Sequence, residues 1–277
     1  MLAEQQFSTG SITINYATSA SGGPPLVLLH GFMGRWQDWL PIVSALGADW
    51  RIYAPDMRGH GRSSRAPDGA YRHIDLVEDL MAFLEGVVAE PAVLFGHSAG
   101  APGASDVAGS HGGAVRAVII GDFPLDFPWL ADLVSTPGMV AYHTAVRSAT
   151  GMSSQDSLQV LAALHPELDP SRLAAIAEAL TDLDPHAVDC HAEGRLGDFY
   201  GDLDGDALLR RVQTPVALLQ ADPGSGGLMT DGYVQHALPL LRSGTHLRLD
   251  GIGHNLGLDT GTAGPLLDAV IPYLDSL

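Results

Sequence analysis

Ala92-Val93-Leu94-Phe95-Gly96-His97-Ser98-Ala99-Gly100 is the stretch on which the reading of this chain turns. An apolar run followed by G-x-S-x-G is what a chain needs to lift one serine above the end of a buried strand, at a sharp strand-to-helix turn. Glycines flank the serine because a larger side chain there would collide with neighbouring backbone. In a chain with 33 glycines the pattern can arise by chance, so its surroundings must carry the argument.

Upstream, short β-rich runs alternate with turns: Ser11-Ile12-Thr13-Ile14-Asn15-Tyr16, Pro25-Leu26-Val27-Leu28-Leu29 and Trp50-Arg51-Ile52-Tyr53-Ala54. Between the last two, the apolar residues of Asp38 to Leu46 recur at helical spacing, as do those of Val77 to Leu84 just before the serine strand. Val115 to Ile120 supplies the strand after it. Strand-helix-strand alternation predicts an α/β fold with a mostly parallel central sheet and helices on both faces.

From about Leu125 to Gly205 the pattern becomes helical, with stretches at Met139 to Ala149, Ser157 to Leu164 and Leu173 to Leu183. Strands resume at Pro215 to Leu219 and Leu247 to Leu249, and the chain closes on the amphipathic Ala263 to Leu277. The expected organisation is a core of residues 1–124 and 206–277 with a helical cap, residues 125–205, over the carboxyl edge of the sheet, where open α/β folds bind ligands. The alternative is a set of structural helices that make no pocket.

Composition narrows the function classes. With 277 residues and 46% apolar content the chain can bury one sizeable core. Its 14 basic and 32 acidic residues give a formal net charge of −18, a field that repels phosphate backbones and anionic membranes, so neither nucleic acid nor membrane is an expected partner. No run of about 18 apolar residues is present to span a bilayer, and Met1-Leu2-Ala3-Glu4-Gln5-Gln6 lacks the basic and apolar regions of a secretory leader. The expected location is the cytoplasm. The lone Cys190 excludes an internal disulfide and a cysteine zinc cluster.

Three further motifs stand at strand ends: His30-Gly31-Phe32, Asp56-Met57-Arg58-Gly59-His60-Gly61-Arg62-Ser63-Ser64 and Gly251-Ile252-Gly253-His254. With the serine turn, they make the sequence resemble the α/β-hydrolase superfamily over essentially its whole length. The resemblance implies Ser98 as nucleophile, His254 as base, and the backbone N–H groups of Phe32 and Ala99 as an oxyanion hole. A serine hydroxyl is a poor nucleophile near neutral pH, so it needs a base to take its proton and an acid to orient that base. His30, Trp36 and His97 are candidates for the pocket wall, and Trp39 has the spacing of a core-facing helix residue.

Two aspartates compete for the acid. In much of the family it follows the strand matching Val216 to Leu219, where Gln220-Ala221-Asp222-Pro223-Gly224 offers Asp222, displaced from the usual spacing. A second family arrangement places it one strand earlier, where Ile119-Ile120-Gly121-Asp122 offers Asp122; this region resembles in outline the lactone hydrolases related to those acting on resorcylic macrolides. Asp122 is the preferred acid and Asp222 the alternative, the other one serving to cap a loop. Asp56 and Arg58 are read as structural.

Asp202-Leu203-Asp204-Gly205-Asp206 lacks the late glutamate of a calcium loop, His186 to His191 lacks a remote ligand set, and the glycine clusters lack the lysine of a phosphate loop. No cofactor or metal is expected. The sequence therefore points to a serine esterase or lactonase acting on a small, largely apolar ester or lactone through an acyl-enzyme. A carbon-carbon hydrolase of an activated ketone, or a non-catalytic ligand-binding protein on the same scaffold, remains as the alternative. An oligomer is possible on this sequence but not indicated by it.

Overall fold

The computed structural model describes residues 2–20, 22–164, 170–259 and 261–277. Residues 1, 21 and 260 of the expected core, and 165–169 of the expected cap, lie outside the described residues.

Strands β1 (Leu2–Ser8), β2 (Thr13–Ser19), β3 (Pro25–Leu29), β4 (Arg51–Pro55), β5 (Ala92–His97), β6 (Val115–Gly121), β7 (Val216–Ala221) and β8 (Gly244–Leu249) form one sheet in the order β1-β2-β4-β3-β5-β6-β7-β8. β2 runs against both its neighbours, and every pairing from β4 across to β8 is parallel. The helices are α1 (Leu40–Leu46), α2 (His73–Phe83), α3 (Gly100–Ser110), α4 (Phe127–Val134), α5 (Pro137–Ala149), α6 (Ser154–Leu164), α7 (Pro170–Leu180), α8 (Asp189–Ala192), α9 (Leu196–Tyr200), α10 (Gly205–Arg211), α11 (Asp231–Ala237) and α12 (Gly264–Asp275).

The central strands read as unbroken apolar runs because both their faces are covered. Successive side chains point to opposite faces. Val27, Leu29, Leu94, Val118 and Ile120 therefore pack with Phe83 of α2 and Ala104 and Val107 of α3. Leu26, Leu28, Val93, Phe95 and Ile119 pack on the other face with Ile42 of α1 and Leu266 and Val270 of α12. Trp39 is wholly buried on that second face, in line with its spacing.

Two elements differ from the sequence expectation. The polar opening of the chain, weighed only as a leader, is β1; it is an exposed edge strand whose Glu4, Gln5 and Gln6 face solvent, and a sheet edge tolerates such residues where a central strand would not. The helix expected over Asp38 to Leu46 is instead a 3-10 turn, Trp36–Trp39, followed by α1, because Pro41 is accommodated only in the first turn of a new helix.

Between β6 and β7 the chain makes helices α4 to α10 and no described strand. Val146, Leu161, Leu173, Leu180 and Val188 of this segment bury one another in a cluster of their own, against which Phe32 and Met33 pack. Its two ends meet: a Cβ on Gly205 would stand 1.6 Å from the Leu125 carbonyl oxygen. The Asp184 N–H donates to the Gly59 carbonyl at 2.8 Å and the Tyr71 hydroxyl donates to Asp184 Oδ2 at 2.6 Å, tying the segment to the loop after β4. No described helix is long and apolar enough to cross a membrane.

Candidate active site

Ser98 stands at the carboxyl end of β5 with φ at +50°, a left-handed conformation that few side chains adopt. The glycines on either side permit the turn. A Cβ on Gly96 would lie 2.5 Å from the Gly100 carbonyl oxygen, and one on Gly100 would lie 2.6 Å from that of Leu29. The Ser98 N–H donates to the Gly121 carbonyl at 2.9 Å, pinning the turn to the end of β6.

Three side chains from three loops converge. The Ser98 hydroxyl lies 3.0 Å from His254 Nε2, and His254 Nδ1 lies 2.8 Å from Asp122 Oδ2. The imidazole that fits both bonds carries its proton on Nδ1, donates it to the carboxylate, and accepts from the serine hydroxyl at Nε2. Asp122 is completely buried and also accepts backbone N–H groups from Ala221 and Met229, each at 3.1 Å, and from Leu228 at 2.8 Å. Burial alone would push its carboxyl up. The hydrogen bond and charge of His254 and the Leu228 and Met229 amides outweigh burial and hold it below the ordinary carboxylate value.

Asp222 is placed elsewhere. It accepts the N–H of Gly224 at 2.9 Å and of Gly251 at 3.0 Å and the Ser225 hydroxyl at 3.2 Å, and those bonds from Gly224 and Gly251 lower its carboxyl. Its own N–H donates to the Ile252 carbonyl at 2.7 Å. Asp222 thus anchors the loop that carries His254 without touching the imidazole.

The structure brings none of the three pocket-wall candidates to the cavity beside Phe32 and Ala99. The imidazole of His30 donates from Nδ1 to the Gly31 carbonyl at 2.8 Å and accepts the Met57 N–H at Nε2 at 2.9 Å, joining the two loops after β3 and β4. His97 donates from Nε2 to the His254 carbonyl at 2.8 Å, and Trp36 turns its indole N–H to Glu4 on the sheet edge at 2.8 Å. Burial pushes His30 down to about 4 and His97 down to about 3, so both are neutral near pH 7.

That cavity, of about 30 Å³, is lined by Arg58, His60, Tyr71, His191, Phe199 and Tyr200 among others. Sequence reading missed His191, Phe199 and Tyr200, because α8 and α9 are short and nothing in their spacing marks the face turned to the core. Asp56 accepts N–H groups from Trp36, Asn15 and Arg62 at 2.7, 2.9 and 3.0 Å. Arg58 pairs with the buried Asp79 of α2 at 2.7 Å and donates to the Ala70 carbonyl at 2.8 Å. Both residues hold loops in place. Among the described residues, neither the Phe32 nor the Ala99 N–H meets an acceptor within the protein.

A family model described as alpha/beta hydrolase fold matches residues 24–136. Epoxide hydrolase B of Mycobacterium tuberculosis (strain ATCC 25618 / H37Rv) is 46% identical over 82 residues, 29% of this chain and 23% of that protein, so the chain spans less than a quarter of its length. Among solved structures, E-2-(acetamidomethylene)succinate hydrolase superimposes with a TM-score of 0.79 at 20% identity, covering 99% of this chain and 100% of that one. The enol-lactonase from Burkholderia xenovorans LB400 superimposes with a TM-score of 0.70 at 19% identity, covering 98% and 100%. Strand order, the turn at Ser98 and these superpositions agree that the chain has the α/β-hydrolase fold.

Proposed function

We propose that this protein is a metal-independent serine hydrolase that acts on a small organic carbonyl compound, an ester or lactone in the first place, through an acyl-enzyme. The observation that carries the reading is the continuous relay from Ser98 Oγ through His254 to Asp122, at 3.0 and 2.8 Å. In this reading the segment 125–205 is the cap that walls the substrate in.

Ser98 gives its proton to His254 Nε2 as its oxygen bonds to the carbonyl carbon. The resulting oxyanion is met by the Phe32 and Ala99 N–H groups, each such donor being worth roughly 2.7–4 kcal/mol in the transition state. The imidazolium, held by the Asp122 carboxylate, then protonates the leaving alkoxide as the carbon-oxygen bond breaks. His254 next takes a proton from water, which attacks the acyl carbon, and returning that proton to Ser98 releases the acid. A lactone leaves as one hydroxy acid, since its alcohol stays tethered.

A serine oxygen that opened an epoxide would be left as an ether, which the second half-reaction does not cleave. The partial likeness to an epoxide hydrolase therefore does not bring that substrate to this site.

A second reading is supported by the whole-chain likeness to E-2-(acetamidomethylene)succinate hydrolase, whose substrate is neither a simple ester nor a lactone. The same relay can cleave a carbon-carbon bond beside an activated carbonyl, with His254 protonating carbon in place of oxygen. Initial rates on p-nitrophenyl acyl esters, lactones and activated 1,3-diketones, compared between the native chain and Ser98→Ala, test both readings. Ser98-dependent turnover identifies the bond cleaved. Absence of turnover on all three, together with absence of fluorophosphonate labelling at Ser98, points to a non-catalytic binding protein.

A further inference from the structure

The cavity beside Phe32 and Ala99 contains a hydrogen-bond acceptor that the protein does not satisfy. His60 is only 5% exposed and donates from Nδ1 to the Arg58 carbonyl at 2.9 Å. Burial, reinforced by the nearby His30, pushes it down to about 4, so the ring is neutral near pH 7. With its one proton committed to Nδ1, Nε2 must carry a bare lone pair. That atom is buried and has no partner among the described residues.

His191 lies on the same cavity, stacked on Phe32 with ring centroids 3.9 Å apart and planes 13° from parallel. Its Nδ1 is also buried without a partner, no hydrogen bond among the described residues fixes which of its ring nitrogens carries the proton, and burial with the adjacent His143 and His60 pushes the ring down to about 3. Of the other polar walls, Arg58 is engaged with Asp79 and Ala70, and Tyr71 with Asp184 and the Ala66 N–H, while the Tyr200 hydroxyl makes no hydrogen bond among the described residues. A buried lone pair left unpaired has lost its water without gaining a donor, so a ligand that supplies a donor here gains what the free protein lacks.

We propose that His60 and His191 form a subsite for a neutral hydrogen-bond donor, a hydroxyl or amide N–H, carried on the acyl part of the substrate. The assignment rests on the acyl-enzyme reading. The cavity adjoins both proposed oxyanion residues, so in that reading the group it takes belongs to the half retained on Ser98. The volume suits a group of one or two heavy atoms close to the carbonyl. A carboxylate would set acceptor against acceptor at His60 Nε2 unless the ring took up a proton, which its burial opposes.

The test is calorimetric binding of ethyl butanoate, ethyl 3-hydroxybutanoate and anionic monoethyl succinate to the full chain carrying Ser98→Ala, with and without His60→Leu, His60→Gln or His191→Leu. The hydroxy ester should bind about tenfold more tightly than the butanoate. His60→Leu should abolish that preference and His60→Gln, which keeps an acceptor, should retain part of it. If His60→Leu does not fold, loss of preference in His191→Leu serves as the supporting result. Equal affinities, no measurable binding of the hydroxy ester, tightest binding of the succinate, or a preference untouched by both leucine variants would overturn the subsite. Because binding is read without Ser98, its outcome is separate from that of the turnover assay, which alone decides the hydrolase reading.

Discussion

Asp122 and His254 are 132 positions apart in the chain, yet the carboxylate of one lies 2.8 Å from Nδ1 of the other, while the carboxylate of Asp222 is spent on Gly224, Gly251 and Ser225. Asp122→Asn would replace an acceptor by an amide and favour the wrong tautomer of His254, with its proton facing Ser98. Activity should fall by about 10³- to 10⁴-fold. Asp222→Asn should lose less than about tenfold, through a looser His254 loop. Initial rates of both variants on the best substrate check the assignment, and the reverse order would make Asp222 the acid.

His97 acts on the same imidazole from behind, donating to the His254 carbonyl at 2.8 Å with its ring 5.1 Å from that of His254. His97→Phe should leave that carbonyl unpaired and let the loop drift, lowering kcat by about tenfold with little change in KM. His97→Gln, which can donate to the same carbonyl, should recover much of the loss. Equal damage from both substitutions would mean that ring packing, not the hydrogen bond, is what matters.

Acid should destabilise the protein earlier than its carboxylates alone would dictate. Burial pushes His30, His60 and His143 down to about 4, and His97 and His191 down to about 3, from an ordinary value of 6.5. Between those limits the unfolded chain binds protons that the folded chain excludes. Stability is therefore full above about pH 6.5 and falls as pH drops towards 4. Melting temperature followed from pH 7.5 to 4.5 should decline by several degrees or more, most steeply below pH 6; a flat profile over that range would contradict the burial of these rings.

The Arg58 to Asp79 pair has both side chains under a tenth exposed, at 2.7 Å. Asp79→Ala leaves a guanidinium buried without its counter-charge and should cost about 3–5 kcal/mol in urea unfolding. Adding Arg58→Met should restore part of that loss, since the uncompensated charge is then gone. If the double variant is no better than the single one, the destabilisation comes from lost packing against α2 instead.

The central strands were legible in the sequence because being covered on both faces leaves an apolar run, and Pro25–Leu29 appears where the apolar pattern put it. The turn at Ser98 was legible because only glycine fits at 96 and 100 against backbone atoms less than 3 Å away. β1 was not, since a strand at a sheet edge needs no apolar face to hold its place. What the sequence by itself determined were features set by neighbours along the chain: strand periodicity, glycine turns, and a serine and a histidine each in a glycine-bounded loop. What only the tertiary structure decided was which aspartate reaches His254, and that α8 brings His191 against Phe32 and His60. Those relationships depend on where distant loops end at the sheet edge, to within an ångström, and hydrophobic periodicity carries no information at that precision.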